Sequence, residues 1–351
     1  MAFVPLFGYT PDPSGADAFV ASLPHPTLAE AGPGLQAAKH DVSLSELLLQ
    51  CMPSWKRGSQ PIGSCVGWGT AMAVDCLAAA DILLRREPEV WGGLCVPGVV
   101  YGLSRVEARG QSRNLGGDGS TGFHAAKAIR DFGTLHFDQR YGGTVYKSPL
   151  SGTQEKALGR DGLPDDLEPY AAKRKVSEVT LVRSFDDCAK AISNGYSIFL
   201  CSMRGFSMRF ADRGPLGGGW LTPMGTWAHC MMACDLRWDR PALLVPNSWG
   251  DCYDGPVDER LPKSLQRSSG WVDAEVIDGM CKGGDSYAVA GFNGFQPELM
   301  PEAGWLKGVL LCVGSPCLPW CSSAASIAAR LIRRLRRISR ARVPASRCSI
   351  G

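Results

Sequence analysis

Histidine is scarce in this chain, five in 351 residues, so a reaction that needs an imidazole base has few places to find one. Cys-x-x-Cys pairs are missing although there are 14 cysteines. Without such pairs and matched histidines the thiols suit neither a zinc site nor the dense disulfide framework of a small secreted domain, and most are expected to be reduced. Cys312, Cys317 and Cys321 form the nearest thing to a cluster, again with no histidine beside them. The first ten residues lack both a basic stretch and a long apolar run. A secretory signal is therefore not expected, and the cytoplasm is the expected compartment. No two acids stand at an informative spacing, and Asp235, Asp239, Asp251 and Asp254 read as solvated loop positions. The glycines at 116, 117 and 119 are neither preceded by a strand nor followed by Lys-Ser or Lys-Thr at the spacing of a phosphate-binding loop, which leaves a flexible loop as their plain reading. No metal and no organic cofactor is implied.

A net charge of +3 names no partner; its distribution says more. From Ser322 to Gly351 there are eight arginines and no acid, so the tail is strongly basic and the body mildly acidic. Val309 to Ala329 carries no charge, but Pro316, Pro319 and several serines argue against a spanning helix. Ile327, Leu331, Leu335 and Ile338 then recur at helical spacing among the arginines. Such a segment suits an anionic membrane surface, a nucleic acid or an acidic partner, or is a solvated tail. Three regions follow: an irregular Pro/Gly/Ala-rich leader over 1–40, a main domain over 41–300, and a linker plus basic tail over 301–351. The leader reads as a loose segment that wraps the domain.

Within the main domain helices come first and strands second. Asp41 to Leu49 predicts a capped turn, Cys65 to about Arg86 a buried helix, and Phe123 to Gly133 a helix with a glycine stop. Residues 147–175 are charged and broken by Pro and Gly, hence loop. From Ser177 the pattern turns to β, interrupted by a short helix from Phe185 to Gly195, and after Ala274 to Asp278 it ends in a strand over Asp285 to Phe292. This order predicts an α+β fold of two packed lobes.

One stretch organises the chemistry. Gln60-Pro-Ile-Gly-Ser-Cys-Val-Gly-Trp-Gly delivers Cys65 to the first turn of the long helix, where unpaired N–H groups and the positive end of the macrodipole favour a thiolate. Gly67 and Gly69 each cost about 1 kcal/mol of helix propensity relative to Ala, which suggests that something approaches the helix closely. Later, His229 heads an apolar strand in Ala-His-Cys-Met-Met-Ala, and Asn247 closes another in Asn-Ser-Trp-Gly. A thiol needs a base, and an imidazole needs a group that fixes which nitrogen faces the sulfur. Each residue alone also fits a buried thiol, a satisfied core histidine or a strand-end turn.

Cysteine, histidine and the Asn-Ser-Trp-Gly motif, in this order over about residues 40–295, resemble the papain-like cysteine peptidases, and Gly-Ser-Cys-Val-Gly resembles a divergent branch. The resemblance implies a helical lobe and an antiparallel β lobe with the site between them. It implies Cys65 as nucleophile, His229 as base and then acid, Asn247 as its orienter, Gln60 as an oxyanion donor, Trp249 as cover, and Gly116 and Gly117 lining the cleft for a polypeptide substrate. Ser59 stands where most of the family has its glutamine, with Gln60 one place later, and Val66 rather than tryptophan follows Cys65. The leader is shorter and more broken than the family's helical inhibitory segment. Two alternatives share the fold: a non-catalytic binding or structural protein, and an acyl transferase using the same cysteine.

Overall fold

In a computed structural model the described residues are 5–304, except 56–57, 86–90, 112, 115 and 292–293. The basic tail and the cysteines at 312, 317 and 321 lie outside them, and so do the membrane and nucleic-acid readings attached to that tail.

The central helix, Cys65–Leu83, is buried nearly all round. Its sequence is apolar on every face, as a helix surrounded by other elements requires. On one side Gly69 makes room for the strand Pro223–Ala233: a Cβ there would meet Cys230 Sγ at 2.8 Å and its carbonyl at 3.3 Å. On the other, a Cβ on Gly67 would meet the carbonyl of Pro97 at 2.6 Å, where the helix Pro97–Arg105 packs. The two glycines lower the propensity of the helix and let it serve as the wall between the lobes.

Behind the second helix lies a small core of Val96, Val99, Leu103, Leu158, Leu163 and their neighbours. Beyond the strand, two four-stranded antiparallel sheets form the β lobe. One orders Glu178–Leu181, Tyr287–Ala290, Ile198–Phe206 and Pro223–Ala233; the other orders Val42–Ser43, Asp235–Arg237, Ala242–Pro246 and Ser269–Asp273. The α+β layout expected from the sequence is the one observed.

Several local expectations need correcting. Residues 147–175 are not loop throughout. They hold the helices Gly152–Asp161 and Glu168–Ala171; the first is started by a capping box in which Ser151 and Gln154 satisfy each other's backbone N–H groups, and Gly162 ends it at φ +77°. The leader contains the helices Pro13–Ala21 and Leu28–Ala31. Pro13 stands in the first turn, where its missing N–H costs nothing, and Asp12 caps it with a 3.0 Å bond from the Gly15 N–H. Asp235 is not solvated: it is buried in a short strand and accepts from both the N–H and the hydroxyl of Ser45. Burial nonetheless pushes its carboxyl up to about 6. His229 stands past the middle of its strand rather than at the head, because the ladder with Ile198–Phe206 extends back to Pro223.

Candidate active site

Cys65 opens the central helix, fully buried. The turn before it is tied to the helical lobe through Glu155. The Ser64 hydroxyl donates to Glu155 Oε2, and the Trp68 indole N–H donates to Oε1 at 3.1 Å. One carboxyl therefore holds the residue before the cysteine and the residue one turn after it. Burial pushes Glu155 up to about 7 against those two bonds. Sequence reasoning missed Glu155 because its stretch read as loop; the Ser-x-x-Gln capping box was the available signal.

The histidine half is fixed from the β lobe. His229 Nε2 lies 2.9 Å from Asn247 Oδ1. The Ser248 N–H also donates to that oxygen, at 2.7 Å, while Asn247 Nδ2 donates to the Tyr253 hydroxyl at 2.9 Å. The amide is thus oriented from both ends, its oxygen must accept, and the imidazole proton sits on Nε2. Nδ1 is then a bare acceptor, buried and without a hydrogen-bond partner among the described residues. Trp249 stacks on the ring, with centroids 4.3 Å apart and planes at 26°. Tyr253 has no signature in the sequence beyond its place shortly after Asn-Ser-Trp-Gly.

Gln60 is present in the cleft in spite of the displaced glutamine position. Its N–H and Oε1 bridge to Ser248, through the carbonyl and the hydroxyl respectively. Its Nε2 donates to the carbonyls of Ile62 at 2.8 Å and Leu6 at 3.1 Å. The second of those partners belongs to the leader.

Residues 6–10 lie across the site. The Gly8 and Tyr9 N–H groups point at the carbonyl of Ala228, the residue before His229. Tyr9 bridges Ser120 in parallel register, with Thr10 N–H to Ser120 carbonyl and Ser120 N–H to Gly8 carbonyl both at 2.8 Å. The Trp249 indole donates to the Leu6 carbonyl at 3.1 Å, and Phe7 meets the rings of Trp227, His229 and Trp249. Gly8 fits because it has no side chain: a Cβ there would fall 1.9 Å from the Gly63 carbonyl oxygen. The leader, expected to wrap the domain and shorter than a helical inhibitory segment, lies here through backbone pairing instead of a helix.

The loop residue engaged in that pairing is Ser120. The carbonyls of Gly116 and Gly117 accept from Arg105. Of the remaining histidines, His124 stacks on Phe123 and His136 accepts from Arg174.

Burial sets the protonation of the pair. With the cleft covered, desolvation drives the Cys65 thiol far up and the His229 imidazole down to about 4, the Asn247 bond opposing the latter. Both groups are neutral in this closed arrangement. Among the described residues, no group of three or more His, Cys, Asp or Glu stands ready to hold a metal, and the described cysteines are free thiols.

No protein-family description matches the chain, and no curated protein matches it. Solved structures do. The chain is similar to xylellain, a cysteine protease from Xylella fastidiosa, over 83% of this chain and 94% of that one, at 16% identity and a TM-score of 0.47. It is similar to procathepsin B from Trypanosoma congolense over 82% and 86%, at 10% identity and 0.48. A digestive procathepsin L 3 of Tenebrio molitor matches over 78% and 79%, at 13% identity and 0.44. These neighbours are papain-like cysteine proteases.

Proposed function

We propose that this chain is a cysteine-dependent peptidase that hydrolyses amide bonds in polypeptides through an acyl-enzyme. The observation that carries the reading is the imidazole of His229: Nε2 is committed to Asn247, and Nδ1 is left bare on the strand that packs against the Cys65 helix. With the cleft open, Nδ1 takes the thiol proton and the thiolate attacks the carbonyl carbon. The helix-start N–H of Cys65 and the Gln60 amide receive the negative oxygen. The resulting imidazolium protonates the leaving amine as the C–N bond breaks. Water, deprotonated by the same nitrogen, then splits the thioester and returns the free thiol.

Leu6 to Thr10 must leave before any of this occurs, because a substrate carbonyl needs the Gln60 amide that Leu6 holds. A non-catalytic role for the same fold draws on that occupied amide. Gly8→Ala separates the readings, since its Cβ has no room under the Gly63 carbonyl and the covering segment is displaced within the full chain. The peptidase reading expects the Gly8→Ala protein to cleave a peptide library, and expects Cys65→Ser or His229→Ala in that background to abolish cleavage. Failure of the displaced, folded protein to cleave any peptide supports the binding role; release of product only as an amide with an added amine supports transfer.

A further inference from the structure

Beside the second half of the central helix, about 18 Å along its axis from Cys65 at 1.5 Å per residue, lies a cavity of about 430 Å³. Small-molecule sites usually span about 300–1,000 Å³. Leu77, Ala78 and Ile82 of the helix give it an apolar lining, to which Trp91, Tyr141 and Tyr170 add rings. Its charged lining is basic. Lys173, Arg174 and Lys175 follow one another along it, just after the helix Glu168–Ala171. The one acid among the lining residues, Asp81, is paired with Arg85. Among the described residues no carboxylate forms an ion pair with any of the three cations.

Arg174 is held in place all the same. Its Nη1 donates to His136 Nδ1 at 2.7 Å, and Gly92 leaves room for that contact, since a Cβ there would stand 2.7 Å from the same guanidinium nitrogen. Burial, helped by the charge of Arg174, pushes His136 down to about 4. This neutral partner therefore positions the guanidinium without cancelling its charge. The rings are tied to the same group: the Tyr141 hydroxyl accepts from the His136 N–H at 2.8 Å, the Tyr141 and Tyr170 rings lie 5.7 Å apart, and the Lys173 ammonium stands 5.5 Å over Tyr170.

A fixed cation with a neutral partner, two more cations beside it and an apolar recess lined by rings suit a ligand that is multiply anionic at one end and flat at the other. A carboxylate brings one negative charge against three positive ones. A phosphate monoester carries about −1.5 to −2 at neutral pH, and its oxygens match the fork of a guanidinium. Aromatic walls favour a ligand with a π-face, which every nucleobase has. We propose that this cavity binds a small nucleoside phosphate, with the phosphate on Lys173, Arg174 and Lys175 and the base in the recess lined by Ala78 and Trp91. The site is separate from the cleft and does not depend on the peptidase reading.

Calorimetry on the full chain tests it, with AMP, GMP, CMP and UMP as probes and with inorganic phosphate and the four nucleosides as their parts. The tightest of the four nucleotides is expected to bind about tenfold or more tightly than either of its own parts, and to raise the midpoint of thermal unfolding. Arg174→Gln is expected to weaken it about tenfold or more. Lys173→Gln/Lys175→Gln is expected to do the same, and because both lysines are exposed the fold is retained. Ala78→Phe fills the recess and leaves the charges, so the nucleotide is expected to fall to within about threefold of inorganic phosphate. Cys65→Ser is expected to bind the nucleotide as tightly as the parent chain. Binding that survives Arg174→Gln undiminished, as binding by the eight arginines between Ser322 and Gly351 would, overturns the proposal. A nucleotide bound no better than inorganic phosphate, no binding of any of the four, or phosphotyrosine bound more tightly than all four, overturns it as well.

Discussion

The two halves of the site are held in different ways. On the β side, His229, Asn247, Ser248 and Tyr253 are joined by hydrogen bonds among themselves, and His229 Nδ1 is left without a partner among the described residues. On the helical side, Cys65 sits on a turn braced from another helix by Glu155, and the Gln60 amide completes its bonds by taking the carbonyl of Leu6. The imidazole is held by groups of its own lobe. Cys65 and Gln60 depend on groups brought from elsewhere in the chain, Glu155 beside the first and Leu6 on the second.

The sharpest break of that contrast is Asn247→Ala. It takes the acceptor from the Ser248 N–H and the His229 Nε2–H in a buried site, and an expected loss of about 2 kcal/mol or more in denaturant unfolding follows from one to three per orphaned group. In the Gly8→Ala background the same change is expected to abolish cleavage, since the imidazole is then free to turn.

Glu155 tests the helical half through pH. Its folded value, about 7, lies above the ordinary carboxylate value, so the native state binds the extra proton. The associated stability is present below about pH 4.5 and is lost as pH rises through 7, an expected few kcal/mol at 1.36 per unit. Asp285, also pushed up to about 7, has the same sign. His229, pushed down to about 4, has the opposite one: its contribution is present above about pH 6.5 and lost as pH falls through 4. The two windows overlap from about pH 4.5 to 6.5, where two carboxyls outweigh one imidazole, so these three groups together are expected to lower the unfolding free energy as pH rises above about 4.5, and Glu155→Gln to lessen that fall without moving the acid limb.

Gly69→Ala probes the wall between the halves. Helix propensity favours alanine by about 1 kcal/mol, but the new methyl would stand 2.8 Å from Cys230 Sγ with the strand backbone close behind. Overpacking of this kind costs about 1–3 kcal/mol, so a net loss is expected in thermal unfolding. Tyr253→Phe is the mildest change. Removing one hydroxyl partner of Asn247 Nδ2 costs about 1 kcal/mol, and the Oδ1 contact to His229 is retained.

Legibility in the sequence divides along the same line. Cys65, His229 and Asn247 were readable because each stands in a local context that chemistry restricts: a glycine turn into a helix, an imidazole on an apolar strand, and a compact Asn-Ser-Trp-Gly turn. The α+β order was readable from the change of hydrophobic period near Ser177. Glu155 was hidden because its role depends on a helix from another part of the chain packing across the Cys65 turn, and nothing within its own stretch signals that. Asp235 read as exposed because its strand is three residues long and its ligand, Ser45, is remote in sequence. The covering segment was hidden for a further reason. Its grip is made of backbone groups, Gly8, Tyr9 and Thr10 on Ala228 and Ser120, and backbone pairing of an irregular segment leaves no side-chain pattern to read.

The central claim is that a base-activated thiol lies under a removable segment. Its most direct test is the rate at which Cys65 reacts with iodoacetamide at pH 6, read residue by residue by mass spectrometry, in the full chain and in Gly8→Ala with and without His229→Ala. Cys65 is expected to be nearly inert in the parent chain, to become the fastest-reacting thiol in Gly8→Ala by at least tenfold, and to lose that advantage when His229 is replaced. A folded Gly8→Ala protein whose Cys65 reacts no faster than in the parent, or equally fast without His229, would contradict it.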